Sequence, residues 1–131
     1  MQVAARHRGA AFGDFDGDGR VDAVVTRIGE PARLLRNSSA TTNHWIGIRL
    51  RGTRSNRQGL GAMVRVTGTA GRRQWNRVST AVGYASSSDP ALVFGMGQDR
   101  FAKQIEVRWP SGSVQTITSV ACGKYITIAE P

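Results

Sequence analysis

His44-Trp45-Ile46-Gly47-Ile48-Arg49-Leu50-Arg51 sends Ile46, Ile48 and Leu50 one way and Gly47, Arg49 and Arg51 the other. A period of two is that of a half-buried β-strand. The same alternation returns downstream. Val64 and Val66 flank Arg65, and Leu92, Phe94 and Met96 alternate. Ile105, Val107 and Trp109 interleave with Gln104, Glu106 and Arg108 before the turn Pro110-Ser111-Gly112. Val114 to Thr118 returns from that turn, and Ile126 and Ile128 follow near the end. Each reads as an antiparallel strand. Sixteen glycines, concentrated between these segments, supply turns, and no window shows an amphipathic helix. The expectation is an all-β chain whose C-terminal region is an antiparallel β-sandwich or barrel of about six to eight strands. Between Arg72 and Ser88 the pattern breaks, because Trp75 and Val78 fall on opposite faces of an ideal strand. A bulge or loop is expected there.

Upstream of this region the chemistry changes. Asp14-Phe15-Asp16-Gly17-Asp18-Gly19-Arg20-Val21-Asp22 holds four of the nine acidic residues of a chain with net charge +9. Oxygens at loop positions 1, 3 and 5, a backbone carbonyl at 7, a further ligand at 9 and glycine at 6 form the pattern that Ca²⁺ takes from a tight loop. Asp14, Asp16, Asp18, the carbonyl of Arg20 and Asp22 fill those places, with Gly19 sixth. The loop is not an EF-hand, since the twelfth position is Val25 and no bidentate Glu follows. Ala10-Ala11-Phe12 before it and Val21 to Thr26 after it read as strands, so a metal here would fasten two strand ends. The alternative is a solvated acidic turn without metal. With Arg20 as the one nearby basic residue, four carboxylates would repel one another unless a cation offset them. Val21 to Thr26, the turn Gly29-Glu30-Pro31 and Ala32 to Arg36 then form a β-hairpin.

This spacing divides the chain into a calcium-loop hairpin over 1–38, a polar linker over 39–43 and a β-domain over 44–131. Outside the first 25 residues, fifteen basic residues stand against five acidic ones, almost all of them Arg. Such a surface attracts polyanions. Only Arg72 and Arg73 are adjacent, however, so a phosphate track is weakly supported and a solvated Arg-rich face is the plainer reading. Nucleic acid ranks last among partners, behind protein and anionic glycan. Cys122 is alone, which excludes an internal disulfide and marks it as a small buried hydrophobe. His7 and His44 have no Ser, Cys or carboxylate in a recognisable catalytic arrangement, and the Glu residues lie far apart. Trp109 is in phase with the core, whereas Trp45 lies opposite Ile46 and Ile48 and is the better candidate for an exposed stacking platform. No run is long and apolar enough to span a membrane, and Met1 to Arg8 lacks the apolar centre of a signal peptide. Either the protein stays inside the cell or this is a segment of a longer precursor, and the second is expected.

Arg8-Gly9-Ala10-Ala11-Phe12-Gly13 with the aspartate loop and Val21-Asp22 resembles the FG-GAP or VCBS repeat, the calcium-loop blade of integrin-like propellers. Asn43 to Ile48 with Leu50-Arg51-Gly52, Ser55-Asn56-Arg57, Gly59 to Ala62, Gly83-Tyr84, Ser88-Asp89-Pro90, Phe94 to Gly97 and Val107 to Gly112 resemble the ASPIC/UnbV domain. That domain follows such repeats in many secreted bacterial proteins and in cartilage acidic protein. The resemblance implies a secreted, extracellular, non-catalytic interaction or adhesion module in which Ca²⁺ is held by Asp14, Asp16, Asp18, Arg20 and Asp22. Gly17 and Arg20 stand where the family often has Asn and a further acid, so this loop is less acidic. One repeat cannot form a propeller. The hairpin is therefore expected to pack on the β-domain, pair with another copy or join further repeats. A reading from a different class is a binding or accessory domain of a carbohydrate-active enzyme acting on acidic polysaccharide.

Overall fold

The computed structural model describes residues 6–131. All regular elements are strands: β1 His7–Gly13, β2 Asp22–Arg27, β3 Glu30–Leu35, β4 His44–Arg51, β5 Met63–Gly68, β6 Arg73–Arg77, β7 Ala81–Gly83, β8 Ser86–Ser87, β9 Leu92–Gly97, β10 Phe101–Arg108, β11 Val114–Ala121 and β12 Lys124–Ala129. They form two compact units. The first ends at Ser39 and takes in Thr80–Asp89, and the second comprises Ala40–Ser79 and Pro90–Pro131. The excursion Thr80–Asp89 falls in the region that sequence spacing assigns to 44–131. The structure places it in the first unit.

The second unit is a two-sheet sandwich, with β11-β10-β5-β6 in one sheet and β12-β4-β9 in the other. The inward residues of both sheets make one apolar cluster that includes Ile46, Ile48, Val64, Val66, Phe94, Ile105, Val107 and Ile128. These are the residues in phase with the period of two, and removing them from water is what drives the two sheets together. Trp109 belongs to the core at 3% exposure, its indole N–H donating to Gln115 Oε1 at 3.1 Å. The Pro110-Ser111-Gly112 turn closes with Trp109 N donating to Ser113 O and Gly112 N to Trp109 O, both 2.9 Å. Cys122 packs against the cluster as a half-buried residue. Desolvation, and then the charge of Asp99, push its thiol above the ordinary value.

Three features depart from simple alternation. β12 pairs with β4 in parallel, not antiparallel. In β10 the register against β5 shifts between Ala102 and Gln104. This irregularity lets Ala102 and Ile105, which differ in phase, both face the core. Residues 73–77 need no bulge, because β6 pairs with β5 in continuous register from Met63↔Arg77 to Thr67↔Arg73. Val78 alone turns inward there, and Trp75 lies on the outer face at 69% exposure. The irregularity of this region sits instead between Ala81 and Gly83 of the β7–β8 pair.

Trp45 is not an open platform. Its ring meets Tyr125 edge-on at 5.2 Å between centroids, and Arg49 lies 5.2 Å from the centroid of the same tyrosine. Tyr125 stands opposite Gly47 in the parallel ladder. A Cβ on Gly47 would fall 2.2 Å from its ring, so the absent side chain is where the ring lies. Gly47→Ala is expected to cost about 1–3 kcal/mol by expelling Tyr125. Urea denaturation checks this, and unchanged stability would show that the ring moves aside freely.

The first unit is a three-stranded sheet, β1-β2-β3. Asp22, Ala23, Val24 and Val25 of β2 pair with Gly13, Phe12, Ala11 and Ala10 of β1. The outer edge of β1 is covered by the excursion: Ala10 N donates to Ser86 Oγ at 3.1 Å, Phe12 N to Ser88 Oγ at 2.8 Å and Asp89 N to Phe12 O at 3.0 Å. Register places Ala11, Val24 and Leu34 on one face and Phe12, Ala23 and Leu35 on the other. Phe12, Val24, Leu34 and Leu35 are all exposed, so this small sheet has apolar side chains on both faces and no buried cluster of its own.

Candidate metal centre

The loop between β1 and β2 is built around Asp14. Its Oδ1 accepts from Gly17 N at 2.8 Å and Asp18 N at 3.0 Å, and its Oδ2 accepts from Gly19 N at 2.7 Å. Three amides converging on one carboxylate require a tight turn. Gly17 and Gly19 make it possible with φ of +74° and +85°, a region costly for side-chain-bearing residues. The turn brings one oxygen each of Asp14, Asp16 and Asp18 within 4.8 Å of one another.

Asp22 has a different place. It is 4% exposed, and its two oxygens accept from Phe15 N at 2.9 Å and Asn37 N at 2.7 Å. Its carboxylate thus ties the start of the loop to the chain beyond β3 and lies outside the converging trio. Arg20 also works through more than its carbonyl. Its amide donates to Asp18 Oδ1 at 2.8 Å, its Nε to Asn37 O at 2.9 Å, and its guanidinium pairs with Asp18 Oδ2.

Arg36 is the participant that sequence reasoning misses. One residue past β3, it pairs through Nε with Asp16 Oδ2 at 2.7 Å, and its Nη2 lies 4.0 Å from Asp18 Oδ2. Partial desolvation pushes the Asp16 carboxyl up, but the hydrogen bond and charge of Arg36, with hydrogen bonds to Asp18, bring it below the usual carboxylate value. Three carboxylates and no softer donor form the ligand class that Ca²⁺ takes, so the trio fits that ion. Two guanidiniums occupy some of the same acceptors, and a cation must compete with them.

Charge divides between the units. The first carries six basic and six acidic residues, the second twelve basic and three acidic. All three acids of the second are engaged. Asp99 accepts from the Thr69 amide at 3.1 Å and from its hydroxyl. Glu106 lies between Arg65 Nη2 at 2.6 Å and Arg108 Nε at 2.9 Å. Glu130 is 3% exposed and accepts from Thr53 N, Arg54 N, Ser55 N, Ser55 Oγ and Ser111 Oγ. No local pattern marks that role for Glu130, whose donors lie up to 77 residues away. Among the described residues no helix is long and apolar enough to cross a membrane.

A model of the family described as ASPIC and UnbV matches residues 52–131, more than half of the chain. Cartilage acidic protein 1 of Homo sapiens is 27% identical over 133 aligned positions, covering 99% of this chain and 20% of that protein. The Mus musculus protein of the same name gives the same identity and coverage. That of Xenopus tropicalis is 28% identical over 128 positions, covering 95% of this chain and 19% of its own length. The chain thus spans about a fifth of the curated relatives it matches, and the similarity runs through the aspartate loop as well as the sandwich.

Proposed function

The chain belongs to the ASPIC and UnbV family, and on that premise we propose that it is a non-catalytic, calcium-binding interaction or adhesion module of an extracellular protein. The observation that carries this reading is the convergence of Asp14, Asp16 and Asp18 in a loop joining two strands. Ca²⁺ bound to these carboxylates would offset their mutual repulsion and stiffen the strand-loop-strand unit. A loop without a bidentate twelfth-position Glu suits a Kd of about 10⁻⁴ to 10⁻³ M, the range of extracellular modules. The apolar residues exposed on both faces of the β1-β2-β3 sheet support its reading as an FG-GAP/VCBS-type blade, whose faces neighbouring repeats or another copy would cover.

Isothermal titration of the protein with Ca²⁺ tests the reading, and one site in that affinity range is expected. Arg36→Gln removes the guanidinium that competes for Asp16, so binding should tighten about threefold to tenfold. A silent titration of the wild type contradicts the proposal. The charge of the second unit favours a second reading, a binding or accessory domain of an enzyme acting on acidic polysaccharide.

A further inference from the structure

The outer face of the β11-β10-β5-β6 sheet carries a row in which Thr116, Glu106, Arg65 and Trp75 stand opposite one another across the four strands. The next row is Val114, Arg108, Met63 and Arg77. Arg73 and Arg77 lie two residues either side of Trp75 on β6 and so share its face. A single exposed tryptophan needs no explanation in itself. This one borders an open cavity of about 340 Å³ lined also by Met63, Arg65, Glu106 and Arg108. That volume lies at the lower end of the range for small-ligand sites.

The chemistry of the lining is specific. Glu106 is held on both oxygens by Arg65 and Arg108, which neutralises the acid and orients the two guanidiniums. The Arg108 hydrogen bond, set against partial desolvation and aided by Arg65, keeps this carboxyl below its ordinary value. The face therefore stays net basic. It offers a flat indole, planar forks that match carboxylates bidentately, and polar side chains from Thr116 and Glu106 for hydroxyl groups.

We propose that this face binds a uronic-acid-containing oligosaccharide, with one sugar ring stacked on Trp75 and its carboxylate gripped by the surrounding arginines. The proposal rests on the reading of the chain as a binding module and specifies that module's site and ligand. Charge complementarity selects the occupant. A neutral glycan would supply no anion to Arg73 and Arg77, since Glu106 already answers Arg65 and Arg108. Single-stranded nucleic acid takes successive aromatic platforms, and these two rows present one. A protein partner calls for a wider apolar centre than Trp75, Met63 and Val114 provide.

Calorimetric titration with hexagalacturonate, a heparin hexasaccharide, cellohexaose and the single strand dT6 tests the proposal at low and physiological salt. Hexagalacturonate should bind tightest and cellohexaose not measurably. Trp75→Ala should weaken binding about tenfold or more, and Arg77→Gln about threefold, with unchanged melting temperatures because both side chains are exposed. In the bound state the Trp75 indole N–H resonance, assigned by its loss in Trp75→Phe, should shift. If hexagalacturonate binds wild type and Trp75→Ala equally, the site is wrong and the binding-module reading survives. Tighter binding of the heparin fragment or of dT6 overturns the ligand class. Failure of every anion to bind the wild type overturns this inference, while the calcium-binding reading beneath it stands or falls with the Ca²⁺ titration.

Discussion

Glu130→Ala is expected to lower the melting temperature by roughly 10 °C, the largest stability loss of any single side chain outside the apolar core. The carboxylate accepts from Thr53 N at 2.9 Å, Arg54 N at 2.9 Å, Ser55 N at 2.7 Å, Ser55 Oγ at 2.8 Å and Ser111 Oγ at 2.5 Å. It thereby binds the loop after β4, the β10–β11 turn and the end of β12 to one point. Alanine leaves these donors without their acceptor, and a donor shut off from water without a partner costs more than the hydrogen bond itself contributes. Glu130→Gln should fall between the two, since its amide turns an N–H₂ toward groups that are themselves donors.

The pH dependence has a fixed sign. Burial pushes the Glu130 carboxyl up, but the Ser111 and Ser55 hydroxyls and the Ser55 and Thr53 amides more than reverse this, holding it well below its ordinary value of 4.5. In the unfolded chain the group takes up a proton at the higher pH. Its contribution is therefore complete above the ordinary value and drains away as pH falls below it toward the folded-state value. The difference in melting temperature between wild type and Glu130→Gln should shrink on acidification from neutral pH to about pH 3. A difference that stays constant would show that the native interactions do not depend on the charge.

Asp14→Ala is expected to abolish calcium binding and to loosen the loop even without calcium. Asp14 differs from its neighbours because it both offers oxygen to a cation and accepts the amides of Gly17, Asp18 and Gly19 that shape the turn. Losing these bonds costs the first unit about 2 kcal/mol. Asp14→Asn separates the two roles. Its remaining carbonyl oxygen can still accept from Gly17 and Asp18, so the turn should persist while calcium affinity falls with the lost charge. Amide hydrogen exchange at residues 17–19 reads the turn, and calorimetry reads the ion. Equal protection in wild type and Asp14→Ala would mean that the backbone holds the turn by itself.

The sandwich was legible because most of its inward residues keep a period of two. Ile46 with Ile48, Val64 with Val66, and Ile105 with Val107 all appear in the core. Period two does not distinguish parallel from antiparallel pairing, and so the direction of β12 beside β4 was not readable. Alternation also tells which residues share a face, not what covers that face. Trp45 and Trp75 both point away from the core, yet Tyr125 covers the first and the second stays open. The aspartate loop was legible in its turn and its trio, since local spacing fixes both. The arrival of Arg36 at Asp16, twenty residues away, depends on where the chain leaves β3. Asp22 was legible as part of the loop, but a ligand count by position cannot show that two backbone amides already take its oxygens. The union of Thr80–Asp89 with the first unit rests on Ser86 and Ser88, small polar residues that carry no periodic signal.

A crystal structure grown in millimolar calcium would decide whether the aspartate loop holds an ion. A single ion is expected among the carboxylates of Asp14, Asp16 and Asp18, with the Arg36 guanidinium withdrawn from Asp16. Asp16 still held by Arg36 and Asp18 by Arg20, with no ion among the three carboxylates, would contradict it.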